Sequence, residues 1–502
     1  MSMYINTRGN AEPVSSCEAV YSGMAPGGGL FVPRSVPRYS MEELQTLESL
    51  SYPELAAAVL NALMDDYPGP VLRDFAAKAY GRPAWGGDAG PAPVKMIGGG
   101  LGFLELFHGP TAAFKDMALQ IMPYLLTYAA QRTGDGKEIL ILVATSGDTG
   151  KAALEGFKDV PGIKIAVFYP NGGVSPVQEA QMNATDGRNT YVCAVEGNFD
   201  DCQNGVKAVF GNEEMIRLLD GRGVRMSSAN SINWGRLAPQ IVYYFHAYFA
   251  LSQQKRVQWG APVNFVAPTG NFGNILAGWY AKQMGLPVHK LICASNMNHV
   301  LTDFFQTGIY DRNRPFYYTN SPSMDILISS NLERLLFEMS GRDGEMIRDW
   351  MGGLAGKGRF QVGGTVKKAM NEVLWAGFAT DEEGSDMIRE IYEQNHYVMD
   401  PHTAVGMAVY EQYRNQTGDE TLTLIDATAS PFKFSGSVLA ALGHPAAERN
   451  EFETLKILSD FTGEPAHPAL LGLEERPRRR FCRRDEMEPM ILSILDSDSG
   501  TD

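Results

Sequence analysis

The sequence Glu138-Ile-Leu-Ile-Leu-Val-Ala-Thr-Ser-Gly-Asp-Thr-Gly150 predicts a buried β-strand, a turn that contains glycine and the start of a helix, in direct succession. The same order of strand and then helix recurs along the chain, with further strands predicted at residues 164–168, 191–195, 262–267, 291–294 and 422–425. Helices that alternate with strands cover both faces of a mostly parallel sheet, so we predict an α/β fold. In such folds, ligands bind at the loops beyond the carboxyl ends of the strands.

The composition is that of a globular protein with a large core and an excess of acidic side chains. The chain has 502 residues, 44% of them hydrophobic, and its 58 acidic and 43 basic side chains give a net charge of −15. This charge argues against nucleic acid or an anionic membrane as a partner. No apolar run approaches the roughly 18–20 residues of a membrane span. Residues 1–10 lack a signal-peptide profile and the five cysteines are scattered, so we predict a cytoplasmic protein.

Two strand-to-helix turns carry glycine together with hydroxyl or amide side chains, at residues 145–150 and 269–274. Glycine lets the backbone approach a ligand, and the N–H groups at a helix start are free to bind an anion. One such turn is weak evidence, because many α/β turns contain glycine only to reverse the chain. Two of them predict two phosphate-like groups bound in one cleft. The eight histidines include no pair at ligand spacing with a carboxylate beside it, so we predict no metal site.

One lysine stands out in the sequence His108-Gly-Pro-Thr-Ala-Ala-Phe-Lys-Asp116. Apolar residues precede Lys115, which favours a buried amine. A desolvated amine is more often neutral and nucleophilic, as a Schiff-base lysine must be. Most lysines are solvated surface charges, so this pattern alone is weak.

Several motifs in the right order resemble those of the threonine synthase family, which belongs to the fold type II pyridoxal-phosphate enzymes. The motif of the cofactor lysine is similar to Leu104-Glu-Leu-Phe-His-Gly-Pro-Thr-Ala-Ala-Phe-Lys-Asp116. Further signatures of the family resemble Ala144-Thr-Ser-Gly-Asp-Thr-Gly150, Asn230-Ser-Ile-Asn-Trp-Gly-Arg236, Pro268-Thr-Gly-Asn-Phe-Gly-Asn274 and Asp400-Pro-His-Thr-Ala-Val405. The resemblance extends from about residue 4 to about residue 442.

The resemblance implies two open, mostly parallel sheets covered by helices, with an N-terminal segment specific to the family. We expect this segment to comprise residues 1–93. A large cofactor-binding domain would comprise residues 94–136 and 261–446, and a smaller substrate-side domain residues 137–260. Residues 447–502 would form a C-terminal extension of unassigned function.

The resemblance also implies a role for individual residues. Lys115 would bind pyridoxal 5'-phosphate covalently and then act as the proton shuttle. Thr428 would hydrogen-bond the pyridine nitrogen of the cofactor, where its neutral hydroxyl could not enforce a protonated ring as an aspartate would. The cofactor phosphate would be bound by Gly270, Asn271, Phe272, Gly273 and Asn274. The substrate's carboxylate and phosphate would be bound by Ser146, Asp148, Thr149, Asn233 and Arg236, each of which could instead be a capping or packing residue.

The implied activity is the conversion of O-phospho-L-homoserine and water to L-threonine and phosphate, the last step of threonine biosynthesis, by a monomer. One alternative is a threonine or serine dehydratase of the same fold, which would need no second phosphate site. Two others are a cofactor-binding protein that has lost activity and a plain nucleotide-binding α/β protein. The sequence departs from the family at Ser430, where many members have histidine before Pro431.

Overall fold

The computed structural model describes residues 3–81, 85, 90–145, 147–444, 450–473 and 480–496. Within these residues the β-strands are β1 (Met3–Asn6), β2 (Val14–Ser15), β3 (Phe31–Pro33), β4 (Val94–Gly98), β5 (Leu101–Glu105), β6 (Glu138–Ala144), β7 (Ile163–Pro170), β8 (Thr190–Glu196), β9 (Val224–Ser227), β10 (Val263–Pro268), β11 (Val288–Ser295), β12 (Ile309–Asp311), β13 (Arg359–Gln361), β14 (Leu374–Phe378), β15 (Thr423–Ala427) and β16 (Phe481–Arg483). All the strands predicted from the sequence are present.

The α-helices fill the connections between the strands. They are α1 (Ser16–Ser22), α2 (Met41–Leu47), α3 (Tyr52–Leu63), α4 (Gly69–Tyr80), α5 (Asp116–Leu119), α6 (Met122–Thr133), α7 (Asp148–Phe157), α8 (Pro176–Asn183), α9 (Phe199–Gly211), α10 (Glu213–Gly221), α11 (Trp234–Gln253), α12 (Gly273–Gln283), α13 (Val300–Thr307), α14 (Leu332–Met339), α15 (Gly344–Lys357), α16 (Gly364–Val373), α17 (Asp381–Asn395), α18 (Pro401–Thr417), α19 (Ser435–Ala441), α20 (Glu451–Thr462) and α21 (Met487–Asp496). In the described chain, no helix is both long and apolar enough to cross a membrane.

Two sheets form the body of the α/β fold. The large sheet has six strands in the order β14-β11-β10-β15-β5-β4, and all of them are parallel except β4, which pairs antiparallel with β5. The small sheet has five parallel strands in the order β16-β8-β7-β6-β9. The fold class predicted from the sequence is therefore confirmed.

The connections of the small sheet follow local sequence signals. Helix α8 begins with a capping box in which Ser175 Oγ accepts from the Gln178 N–H and Gln178 Oε1 accepts from the Ser175 N–H, both at 3.2 Å. Pro176 occupies the first helical position, where the missing N–H costs nothing. Helix α7 begins at Asp148, three residues before the start near Lys151 that the sequence indicates. The helix therefore begins inside the glycine turn, which brings its first N–H groups to the end of β6.

The C-terminal region is more closely integrated than we expect from the sequence. Strand β16 pairs in parallel with β8, with Cys482 opposite Val195. Helix α21 buries Met487, Ile491 and Ile494 in the apolar cluster beneath that edge. Residues 481–483 therefore belong to the small sheet and do not form an extension of their own. The other predicted limits of the domains remain our proposal. Residues 82–84 and 86–89, which precede the first limit at residue 93, lie outside the described residues.

One fully buried guanidinium group links the N-terminal segment to α14 and to the loop before α11. Arg334 of α14 donates from Nε to the carbonyl oxygen of Phe31 in β3 (2.9 Å), and from Nη2 to that of Ile232 just before α11 (2.6 Å). Its Nη1 donates to Asn331 Oδ1 (2.5 Å). Burial lowers the pKa of Arg334 to about 10, and the three hydrogen bonds offset the cost of burying this charge.

Replacing Arg334 with lysine should therefore destabilise the protein, because a compact ammonium group cannot reach the three acceptors that the guanidinium fork reaches. We expect a loss of about 2–3 kcal/mol, since buried carbonyl oxygens are left without donors. The measurement is the apparent Tm by calorimetry, which should fall by several degrees. The matched control is Arg217→Lys, at an exposed pair with Glu213. An unchanged Tm for Arg334→Lys would show that the guanidinium group does not hold the segment.

Candidate active site

A cavity of about 1120 Å³ lies between the two sheets, at the carboxyl ends of their strands. Thr145, Thr269 and Thr428 each line this cavity and each directly follows a strand, β6, β10 and β15 respectively. The cavity is therefore where parallel sheets usually place a ligand. It brings together all the described residues that the sequence analysis assigns to a site, namely Lys115, Asp148, Thr149, Asn233, Arg236, Gly270, Asn271, Phe272, Gly273, Asn274 and Thr428. Ser146 lies outside the described residues.

The 269–274 turn presents backbone groups to the cavity. Its carbonyl oxygens are used by the neighbouring loop, because Ser329 Oγ donates to Gly270 O (2.7 Å) and the Asn331 N–H donates to Asn271 O (3.1 Å). Phe272 has a left-handed backbone with φ of 64° at the start of α12. Within the described chain, the N–H groups of residues 270–273 donate to no protein acceptor. They are therefore available to an anion in the cavity.

Three predicted residues have side chains that the protein itself already uses. Phe272 is buried and stacks on Phe305 with ring centroids 6.0 Å apart. The carboxamide of Asn233 caps α11, since Oδ1 accepts from the Gly235 N–H (2.8 Å) and Nδ2 donates to Val20 O (2.9 Å). The carboxamide of Asn274 accepts a hydrogen bond from the Tyr243 hydroxyl and donates one to Asp426, both of which lie behind the turn. We therefore expect Phe272 and Asn274 to act on a ligand through their backbone N–H groups.

The amine of Lys115 is buried against the cavity wall, at the start of the short helix α5. Its Nζ lies 3.8 Å from Asp148 Oδ2, 3.5 Å from Ser323 Oγ and 4.8 Å from the centre of the Phe114 ring. Burial lowers the pKa of Lys115 to about 8, and the positive charge of Arg236 adds to this effect while Asp148 opposes it. With this pKa about a tenth of the amine is neutral at pH 7, and the neutral form is a nucleophile and a base.

A second buried lysine, Lys433, forms the other half of the charge arrangement around Asp148. Its Nζ lies 2.6 Å from Asp148 Oδ1 and donates to Thr111 O (3.1 Å). Gln178 Nε2 also donates to Asp148 Oδ1 (2.9 Å). Burial alone would raise the pKa of Asp148, but the ammonium groups of Lys433 and Lys115 hold it well below its usual range. An ionised Asp148 would repel an anionic ligand, so we expect only its backbone N–H to bind one.

The first turn of α7 and Arg236 provide a second place for an anion. The N–H groups of Gly147 and Gly150 bond to Thr145 Oγ1 (3.0 and 2.9 Å) and hold the turn in shape. The N–H groups of Asp148 and Thr149 have no acceptor among the described residues. Arg236 is buried and donates from Nη1 to Ala229 O (2.6 Å), and burial lowers its pKa to about 10. Its guanidinium group remains cationic and lines the same cavity.

The sequence analysis missed His402, which also lines the cavity. The Ser323 N–H donates to His402 Nε2 (3.1 Å), so the ring proton is on Nδ1, which faces Asp400 Oδ1 at 2.7 Å. The Asp-Pro-His-Thr motif was a signal for this residue, but its spacing does not indicate a role. Ser430, where the family pattern has histidine, is buried and is not one of the described residues that line the cavity.

Comparisons with known proteins agree with this geometry. A family model described as "Pyridoxal-phosphate dependent enzyme" matches residues 95–426. Models described as "Threonine synthase N terminus" and "Threonine synthase, C-terminal" match residues 3–80 and 403–481. Threonine synthase from Saccharomyces cerevisiae is 38% identical over 467 residues, which cover 88% of this chain and 89% of the yeast protein.

Two further relatives extend this comparison. Human threonine synthase-like 1 is 40% identical over 486 residues, which cover 93% of this chain. This chain spans 64% of the length of that human protein. The crystal structure of PLP-bound threonine synthase from Brucella melitensis matches with a TM-score of 0.86 and 36% identity, and covers 98% of this chain and 99% of that one.

The charges around Lys115 predict opposite shifts of its pKa in two variants. Asp148→Asn removes an anion that favours the charged amine, so the pKa should fall below about 8. Lys433→Met removes a competing cation, so the pKa should rise above that value. The pKa is measured from the pH dependence of acetylation of Lys115, followed by mass spectrometry. The exposed Lys78 in the same sample serves as the reference. Shifts of the same sign in both variants would contradict this account.

Proposed function

This chain belongs to the threonine synthase family of pyridoxal-phosphate-dependent enzymes, and we propose that it converts O-phospho-L-homoserine and water into L-threonine and inorganic phosphate. The observation that carries the proposal is that Lys115 shares one cavity with two helix starts that can each bind an anion. One is the start of α12, which follows β10 of the large sheet. The other is the start of α7, which follows β6 of the small sheet. The reaction involves two phosphates, one on the cofactor and one on the substrate.

The residues of the site fit pyridoxal phosphate. The amine of Lys115 is buried and partly neutral, as its reaction with the cofactor's aldehyde requires. A Cβ at Gly270 would come within 2.8 Å of the carbonyl oxygen of Ser323, so this turn has room for backbone only. The free N–H groups of residues 270–273 suit the cofactor phosphate. Thr428 directly follows β15 and lines the cavity, where its hydroxyl would bond to the pyridine nitrogen.

Lys115 moves protons at the substrate's Cα in this proposal. Pyridoxal phosphate, when bound, supplies the electron sink that stabilises negative charge beside the substrate's amine. The neutral amine of Lys115 removes the Cα proton and later returns a proton to the same atom, which its pKa of about 8 permits near neutral pH. Asp148 at 3.8 Å and Ser323 at 3.5 Å hold the amine in place between these steps.

The small sheet binds the phosphate that leaves. Arg236 is suited to bind two oxygens of a phosphate or carboxylate at once. The N–H groups of Asp148 and Thr149 at the start of α7 add the positive end of a helix dipole. Because Asp148 also pairs with Lys433, the turn that binds the leaving group is tied to the segment that follows β15.

The proposal also includes a cytoplasmic monomer that needs neither nucleic acid nor a membrane. The net charge of −15 supports the absence of polyanionic partners. The resemblance to the family supports the monomer, and sedimentation of the purified protein would test it. A dimer would overturn this part of the proposal and leave the chemistry unchanged.

The activity test adds O-phospho-L-homoserine to protein loaded with pyridoxal phosphate and measures phosphate and threonine. We expect the two products in equal amounts. Lys115→Ala should lower the rate by at least about 100-fold, because it removes the proton-transfer group. Lys78→Ala, on the exposed surface of α4, is the matched control and should retain full activity.

Other products would favour the alternatives. Formation of 2-oxobutyrate from threonine, without release of phosphate from phosphohomoserine, would indicate a dehydratase. Cofactor binding without either reaction would indicate a protein that has lost activity. Both results contradict the proposed function.

A further inference from the structure

A buried carboxyl group lies directly behind the turn that faces the cavity. Asp426 is in β15, two residues before Thr428, and is fully buried. Its Oδ2 accepts from Asn274 Nδ2 at 2.8 Å and lies 3.1 Å from the hydroxyl of Tyr244. Asn274 is in the first turn of α12. Asp426 therefore connects the end of β15 to the start of the helix that forms the anion-binding turn.

The number of available hydrogens indicates that this carboxyl group is neutral. The Tyr244 hydroxyl lies near three acceptors, namely Asn274 Oδ1 at 2.8 Å, Asn274 O at 3.1 Å and Asp426 Oδ2. It has one hydrogen, and Asn274 Oδ1 also accepts from Tyr243. A proton on Asp426 would supply the donor that the contact with Tyr244 lacks. Among the described residues, Asp426 Oδ1 is buried without a partner, which an ionised carboxylate tolerates poorly.

Among the residues that the structure describes, no charged group holds Asp426 ionised. The titratable groups that face it are the phenols of Tyr243 and Tyr244 on α11, and Tyr52 of α3 lies behind Tyr243. The neighbouring strand β5 places the apolar Leu104 opposite Asp426, and the buried Phe265 of β10 packs edge-on against the ring of Tyr244. Burial raises the pKa of Asp426 to about 7, although its hydrogen bonds with Tyr244 and Asn274 partly oppose this shift.

We propose that Asp426 is a positioning residue for the cofactor phosphate: through Asn274 it fixes the first turn of α12, and it does so as a neutral carboxylic acid. This proposal rests on the proposed function only in that the anion of the 269–274 turn is taken to be the phosphate of pyridoxal phosphate. A negative charge at Asp426 would repel that phosphate through a medium of low dielectric constant. The neutral acid makes the same hydrogen bonds without the repulsion.

The test measures the affinity for pyridoxal phosphate without substrate, by equilibrium dialysis at about pH 6 and about pH 8.5, on either side of the carboxyl pKa. Asp426→Asn imitates the neutral acid, so its affinity should equal that of the unmodified protein at the lower pH. At the higher pH the unmodified protein should bind about fivefold more weakly than this variant, because its carboxyl group is ionised. Lys115 is the same in both proteins, so its own titration cancels in the ratio.

Two further variants test whether Asp426 acts through Asn274. Asp426→Leu and Asn274→Ala should each weaken cofactor binding about tenfold, since each leaves a buried polar group without its partner. The double variant should be no weaker than the single ones, because both changes break the same connection. The ³¹P resonance of the bound cofactor should shift in both single variants, and circular dichroism checks that they are folded.

Two results would overturn the proposal. The first is an identical pH dependence of affinity in Asp426→Asn and the unmodified protein. The second is an additive loss of affinity in the double variant. Failure of the proposed function has a different signature: the cofactor then binds with the expected pH dependence, but no phosphate is released from phosphohomoserine.

Discussion

A buried ion pair between Lys433 and Asp148 joins the two sheets, and the chemistry of the cavity depends on it. Each charge would be costly to bury alone, so each requires the other. Asp148 is the first residue of α7, which follows β6 of the small sheet, whereas Lys433 follows β15 of the large sheet. The pair can therefore form only when both sheets are assembled. Lys115 lies beside it, so the protonation of the reactive amine depends on the packing of the two sheets against each other.

The sequence predicts the parts of the site that local signals determine. The strands are apolar runs, the two turns contain glycine at helix starts, and Lys115 follows an apolar stretch. Lys433 could not be assigned in this way, because it lies 285 positions from Asp148 in the chain and its burial results from the fold. His402 and Asp426 were missed for the same reason. Strand β16 is three residues long and has no pattern to separate it from a loop.

The charge of the cavity is opposite to that of the chain as a whole. Four basic residues line it in the described part of the protein, against two acidic ones, Asp148 and Asp325. The basic residues are Lys115, Lys207, Arg236 and Arg312. The whole chain has a net charge of −15, so an anionic ligand is repelled at long range and attracted only near the cavity. Salt at physiological strength screens the long-range part over about 8 Å.

The pairing of β8 with β16 constrains how the protein can be made. The two strands are separated in the chain by the segments that build most of the large sheet. During synthesis, β8 leaves the ribosome long before its partner exists. The edge of β8 must therefore remain unpaired while the large sheet folds, and an unpaired parallel edge is prone to aggregation. Pairing of strands that are so far apart in the chain is also slow. The small sheet can therefore be completed only after the last strand of the large sheet has been synthesised.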